Sequence, residues 1–160
     1  MVDMTILAMT EDQGWLASFW SAAQQLKRSR LVATSSMGEA FDLLDCAGAR
    51  LLVLDPRAGT FTVEELDRLL WANSTLAQPA LVLIIDQTYS PEDALDLFRM
   101  GVDEYVCSSL HDAQMTDIVT QLLSESSERD TQAPLALPLF PKSTRTTVAG
   151  SARPAAVALA

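Results

Sequence analysis

Several oxygen-bearing side chains stand directly behind apolar runs. Thr10, Glu11 and Asp12 follow "MTILAM" (4–9), Asp55 follows "RLLVL", Asp86 closes "ALVLIID" (80–86), and Ser108 and Ser109 follow "DEYVC". A core strand gains nothing from a charge at its tip, so acids recurring at such tips raise the question of what they meet. Two carboxylates drawn together without a cation repel each other. Their convergence is tolerable where they hold a hard divalent ion such as Mg²⁺, which takes a few carboxylates and keeps its waters. The alternative at this level is that the acids are solvated loop residues of an acidic protein.

The segments that must position these groups alternate in period. Strand candidates are "MTILAM", "RLVATSS" (30–36), "RLLVLD", "ALVLIID" and "DEYVCSS". Between them lie helical patterns. One places Leu16, Phe19, Trp20, Ala23 and Leu26 on a stripe, and another places Ala40, Phe41, Leu44 and Ala47. "TVEELDRLLWAN" opens with Thr62 and carries Glu65 three residues on, the pattern of a capping box. "SPEDALDLFRMG" has Ser-Pro at its start, acids in its first turn and Gly101 at its end. "HDAQMTDIVTQLLSES" is the last helix expected. Continuously apolar strands separated by helices mean a parallel sheet covered on both faces. Five such units before residue 128 are too few for an eightfold barrel and fit a small doubly wound α/β fold. In that fold the loops after the strand ends meet at a topological switch point, where sites form.

Composition sets further bounds. Across 160 residues the formal net charge is −10, which disfavours direct contact with nucleic acid or anionic lipid. No apolar run approaches the roughly 18 residues of a membrane span, and the first residues do not read as a secretion signal. A cytoplasmic location is expected. Cys46 and Cys107 lack metal or redox spacing and read as reduced core thiols, and His111 reads as a helix-start residue. Residues 1–127 hold 19 acids against 7 Lys and Arg, whereas 128–160 hold 2 acids, 4 basic residues and repeated Pro. The second segment is expected to be a flexible tail, the first a single domain.

The body, residues 4–127, resembles a bacterial response-regulator receiver domain. The resemblance rests on "ILAMTED", "LLVLDPRAG", "LVLIID" and "SPEDALDLFRMGVDEYV", at separations that fit that family. It implies a flavodoxin-like, five-stranded parallel sheet of order 2-1-3-4-5 with helices on both faces. It further implies Asp55 as phospho-acceptor, Tyr105 as the aromatic that reports activation, and Mg²⁺ held by Glu11, Asp55 and the backbone carbonyl of Arg57, with Asp12 or Asp86 as the other acid at hand. The implied partners are a sensor histidine kinase or phosphotransfer protein, and a downstream protein met by the fourth helix, fifth strand and last helix.

The departures are specific. Thr10 stands where the family has an acid, Asp86 where it has Thr or Ser, and Ser108 and Ser109 where it has Lys and Pro. A phosphoryl group is normally met by Mg²⁺ and an ammonium. Asp86 at about 5 Å, with an effective dielectric near 20, would add roughly 3 kcal/mol of repulsion. The site is therefore a weakened one. This leaves a phosphorelay adaptor, or a pseudo-receiver acting as an interaction or dimerisation module without phosphorylation. Trp15, Trp20 and Trp71 make homodimer formation a corollary if one of them is exposed. An enzyme of the haloacid-dehalogenase type is disfavoured, because the second Asp that its chemistry needs is replaced by Arg57.

Overall fold

The computed structural model describes residues 4–26, 29–57 and 61–136, with side chains through residue 129. The elements are β1 (Met4–Met9), α1 (Gln13–Gln25), β2 (Ser29–Thr34), α2 (Met37–Cys46), β3 (Ala49–Leu54), α3 (Val63–Thr75), β4 (Leu81–Asp86), α4 (Pro91–Met100), β5 (Glu104–Cys107), a short α5 (Ser108–His111), and α6 (Met115–Ala136). The strands pair in parallel in the order β2-β1-β3-β4-β5, as expected.

Alternation along each strand builds two cores. Ile6, Leu51, Val53, Leu83 and Ile85 point to the face covered by α1 and α6, where Phe19, Met115, Val119 and Leu123 meet them. Their neighbours Leu7, Leu52, Leu54, Val82 and Ile84 point to the other face, against Leu44, Leu66, Leu69 and Ala94. Each fully buried aliphatic side chain contributes about 1.5–3 kcal/mol. This two-sided burial is why β3 and β4 read as unbroken apolar runs.

The helix ends follow local chemistry. Thr62 and Glu65 form the expected capping box at α3. Ser90 caps α4, Pro91 opens it, and Gly101 at φ 110° closes it in the left-handed region that glycine tolerates.

Several sequence expectations are corrected. In α1 the buried indole is that of Trp15 rather than Trp20, which is 53% exposed, and Trp71 on α3 is 70% exposed. Cys46 is exposed and not a core thiol, while Cys107 is buried, and both are free. The fifth strand stops at Cys107, so Ser108 and Ser109 lie in α5. The final helix begins at Met115 and not at His111. His111 Nδ1 instead meets the Cys107 backbone N–H at 3.2 Å, closing the turn that α5 forms. The helix also continues past residue 127 to Ala136, ending two residues after Pro134. The remainder of the expected tail, 137–160, lies outside the described residues. The packed unit ends at Glu128. Among the described residues, no helix is long and apolar enough to cross a membrane.

Candidate functional site

The chain reverses direction across the sheet between β1 and β3, and the ladder joining them continues one step past β3. The Asp55 N–H donates to the Met9 carbonyl at 3.0 Å, which locks Asp55 beside the residue that follows β1. That residue is Thr10. Its hydroxyl donates to Asp55 Oδ2 at 2.8 Å and accepts the Asp12 N–H at 3.1 Å. Thr10 and Asp55 are 3% and 2% exposed, so this is a buried polar pair at the floor of a rim.

Asp55-Pro56-Arg57 then turns back on itself. The Arg57 N–H donates to Asp55 Oδ1 at 3.0 Å, an Asx-type turn that brings the guanidinium over its own neighbour. Arg57 Nε reaches Asp55 Oδ1 at 3.1 Å, and one terminal nitrogen reaches Asp55 Oδ2 and Asp12 Oδ2, each at 3.3 Å. The guanidinium carbon also stacks 4.2 Å from the centroid of the Trp15 ring, a cation–π contact. Trp15 is held in turn by its indole N–H, which donates to Asp112 Oδ1 at 3.0 Å. The hydrogen bonds to Asp55 foremost push the Arg57 pKa further up. Asp12 caps α1 by accepting the Trp15 backbone N–H at 3.0 Å. That bond first, and Arg57 after it, hold the Asp12 carboxyl below the usual carboxylate range.

Glu11, Asp12, Asp55 and Arg57 line one open cavity of about 210 Å³. The structure therefore places Glu11 and Asp55 in the lining of the same cavity. The donor set fits Mg²⁺ poorly. Mg²⁺ demands oxygens at about 2.0–2.1 Å in near-octahedral array. Here both Asp55 oxygens and one of Asp12 face a guanidinium, the other Asp12 oxygen caps a helix, and Thr10 supplies a hydroxyl engaged in two hydrogen bonds. Among the described residues, no three His, Cys, Asp or Glu side chains form a metal-ligating group. Arg57, whose backbone carbonyl the resemblance implies as a ligand, meets Asp55 and Asp12 through its side chain.

The other candidates lie elsewhere. Asp86 takes the Gln87 N–H at 2.7 Å on one oxygen and the Tyr105 hydroxyl at 3.2 Å on the other. It lines a separate groove with residues of α3 and α4. Tyr105 is 5% exposed, also donates toward the Thr88 carbonyl at 3.1 Å, and stacks on Tyr89 with centroids 5.6 Å apart. Burial first and the Asp86 charge second push its phenol up. Ser108 and Ser109 line a second cavity of about 300 Å³ with Asp12, Trp15, Arg57 and Asp112. The roles of Trp15 and Asp112 went unread in sequence. No motif signals an indole held between a guanidinium and an acid from distant segments.

Solved structures supply an external measure of this architecture. The signal receiver domain of a protein described as a LuxO repressor from Vibrio parahaemolyticus matches with TM-score 0.63 at 16% identity, over 82% of this chain and 97% of that one. A response regulator from Thermotoga maritima matches with TM-score 0.60 at 15% identity, over 77% and 99%. A protein described as pilus assembly-related from Burkholderia pseudomallei matches with TM-score 0.55 at 21% identity, over 77% and 91%. No family model and no curated protein sequence matches the chain. The fold is that of a receiver domain.

Proposed function

We propose that this receiver-fold chain is a signalling docking module that keeps one arrangement without metal or phosphate. The observation that carries the reading is the Arg57 guanidinium lying across Asp55 and Asp12. It supplies positive charge where the resemblance implied an ion, from a residue that never leaves. Phosphorylation biases a receiver by adding charge to a pocket that can rearrange. A pocket in which one guanidinium already pairs with Asp55 and Asp12, and Thr10 is bonded to Asp55, has little left to rearrange. Output then runs constitutively through a protein surface. The face of α4, β5 and α6 suits this, since Leu95 and Phe98 on α4 are exposed close in sequence to exposed Tyr89.

A second reading keeps Asp55 as phospho-acceptor from a histidine kinase or phosphotransfer protein. It is favoured by the open cavity, which gives Asp55 a path to solvent beside Glu11. In that case Arg57 would swing from carboxylate to phosphoryl oxygens, which suit its fork equally well. One experiment separates the two. In a Trp20→Phe/Trp71→Phe background, Trp15 reports on the Arg57 contact, and its fluorescence is followed through a Mg²⁺ titration with and without beryllofluoride. The docking reading expects no saturable change. A Mg²⁺-dependent change with beryllofluoride that disappears in Asp55→Asn would overturn it in favour of the phospho-acceptor.

A further inference from the structure

Helix α4 has two dissimilar edges. At 100° per residue, Leu95 and Phe98 fall on one and Asp93, Asp96, Leu97 and Met100 on the other. The second edge borders a groove of about 310 Å³ between α3 and α4, whose apolar floor is the buried Leu66 with half-buried Leu97 and Met100, and which is also lined by half-buried Asp86 and exposed Asp93 and Asp96. Among the described residues, neither Asp86 nor Asp93 has a cation within 4 Å, and Asp96 has only the strongly exposed Arg99 at 3.5 Å. An apolar floor under three acids selects its occupant by charge. Nucleic acid and anionic lipid are repelled. A second copy of this chain, at net charge −10, is disfavoured for the same reason. A bare cation would leave the apolar floor unused. What satisfies both parts is an amphipathic helix with aliphatic residues on one face and Lys or Arg beside them.

We infer that the α3–α4 groove docks a cationic amphipathic helix of a partner protein, aliphatic side chains seated over Leu66, Leu97 and Met100 and basic ones against Asp86, Asp93 and Asp96. The inference rests on the docking-module reading, but it uses the edge of α4 opposite Leu95 and Phe98. The ten-residue α4 limits the contact to about three turns of the visiting helix. A basic side chain at Asp86 competes with Tyr105, whose hydroxyl bond to that acid is long at 3.2 Å, so docking also reaches the Tyr89–Tyr105 stack.

The probe is a fluorescein-labelled helical peptide of about three turns, Leu on one face and Lys on its flanks, titrated into the full chain by anisotropy. Saturable binding is expected, weakened about tenfold in Asp93→Lys/Asp96→Lys. The exposed α2 pair Asp42→Lys/Asp45→Lys makes the same change in net charge and is expected to lose under about threefold. Equal losses in the two variants would reduce the effect to bulk charge and overturn the proposal. So would tighter binding of a peptide copying residues 134–147 of this chain, loss of a dimer in Asp93→Lys/Asp96→Lys, or loss of peptide binding in Leu95→Ser/Phe98→Ser instead. Any of these leaves the docking module itself standing, because its own test is the beryllofluoride titration.

Discussion

Asp55 and Asp86 stand at the ends of neighbouring strands, yet their surroundings are opposites. Asp55 is 2% exposed and is met by a hydroxyl, a backbone N–H and a guanidinium. Asp86 is half-buried, and its partners are a phenol and a backbone N–H, both neutral. The difference teaches where charge has to be balanced. A buried carboxylate without a cation is costly, whereas one that keeps contact with water needs only hydrogen bonds. Asp55 is therefore balanced by an ion pair with Arg57, and the corner built on Asp86 lines a groove without one.

Removing the cation breaks this contrast most strongly. Arg57→Ala leaves Asp55 buried with only Thr10 and backbone support, and is expected to cost about 2–4 kcal/mol by urea unfolding, the lower end reflecting the partial exposure of Arg57. The same variant exposes the acids to solvent ions, so Mg²⁺ at millimolar levels should raise its melting temperature while leaving that of the parent unmoved. No Mg²⁺ effect on the variant would mean that Thr10 and Asp55 cannot form an ion site even when vacated.

The corresponding change at the other corner is smaller. Tyr105→Phe removes a hydroxyl that bonds Asp86 and the Thr88 carbonyl, both reachable by water, and should cost about 0.5–1.5 kcal/mol in the same assay. A loss as large as that of Arg57→Ala would erase the distinction between the two acids.

The least change comes from pH, and the two corners should respond at opposite ends. The Asp12 carboxyl is held low, so its contribution is present above its unfolded value near 3.9 and is lost as pH falls through the lower folded value. Asp12→Asn should therefore flatten the acid limb of a stability–pH curve. The Tyr105 phenol is held high, so its contribution is present below about 10 and is lost as pH rises through the folded value. In a Tyr89→Phe background, tyrosinate absorbance should appear only above the range of free tyrosine. An acid limb unaltered in Asp12→Asn, or ordinary titration of Tyr105, would remove the respective half of the comparison.

Much of the scaffold was legible because its signals are local and repeated. Unbroken apolar runs at 51–54 and 81–85 can only be strands buried on both faces, and Thr62 with Glu65, or Ser90 with Gly101, mark helix ends by hydrogen bonds within a few residues. The meeting of Glu11 with Asp55 was legible too, because strand order decides it. What sequence did not yield was direction. In sequence Arg57 offers a carbonyl and the lack of an acid, while its side chain, folded back by the turn at Pro56, reaches both oxygens of Asp55. Nor does sequence show that the carboxylate of Asp86 meets the Tyr105 hydroxyl from β5. Trp15 shares the buried stripe of α1 with Phe19, Ala22 and Ala23, and Trp20, five residues on, falls off it, but the Arg57 and Asp112 partners of Trp15 come from remote segments that no local pattern shows.

The stacking of the Arg57 guanidinium on Trp15 has a consequence for regulation. A diffusible ion fills its site by mass action, so chelators, competing metals and cellular fluctuations all set its occupancy. A counterion that is part of the polypeptide has an effective concentration fixed by chain geometry, and no buffer composition can titrate it away. For the proposed docking module this means fidelity to one state, at the expense of any ability to sense the ionic environment.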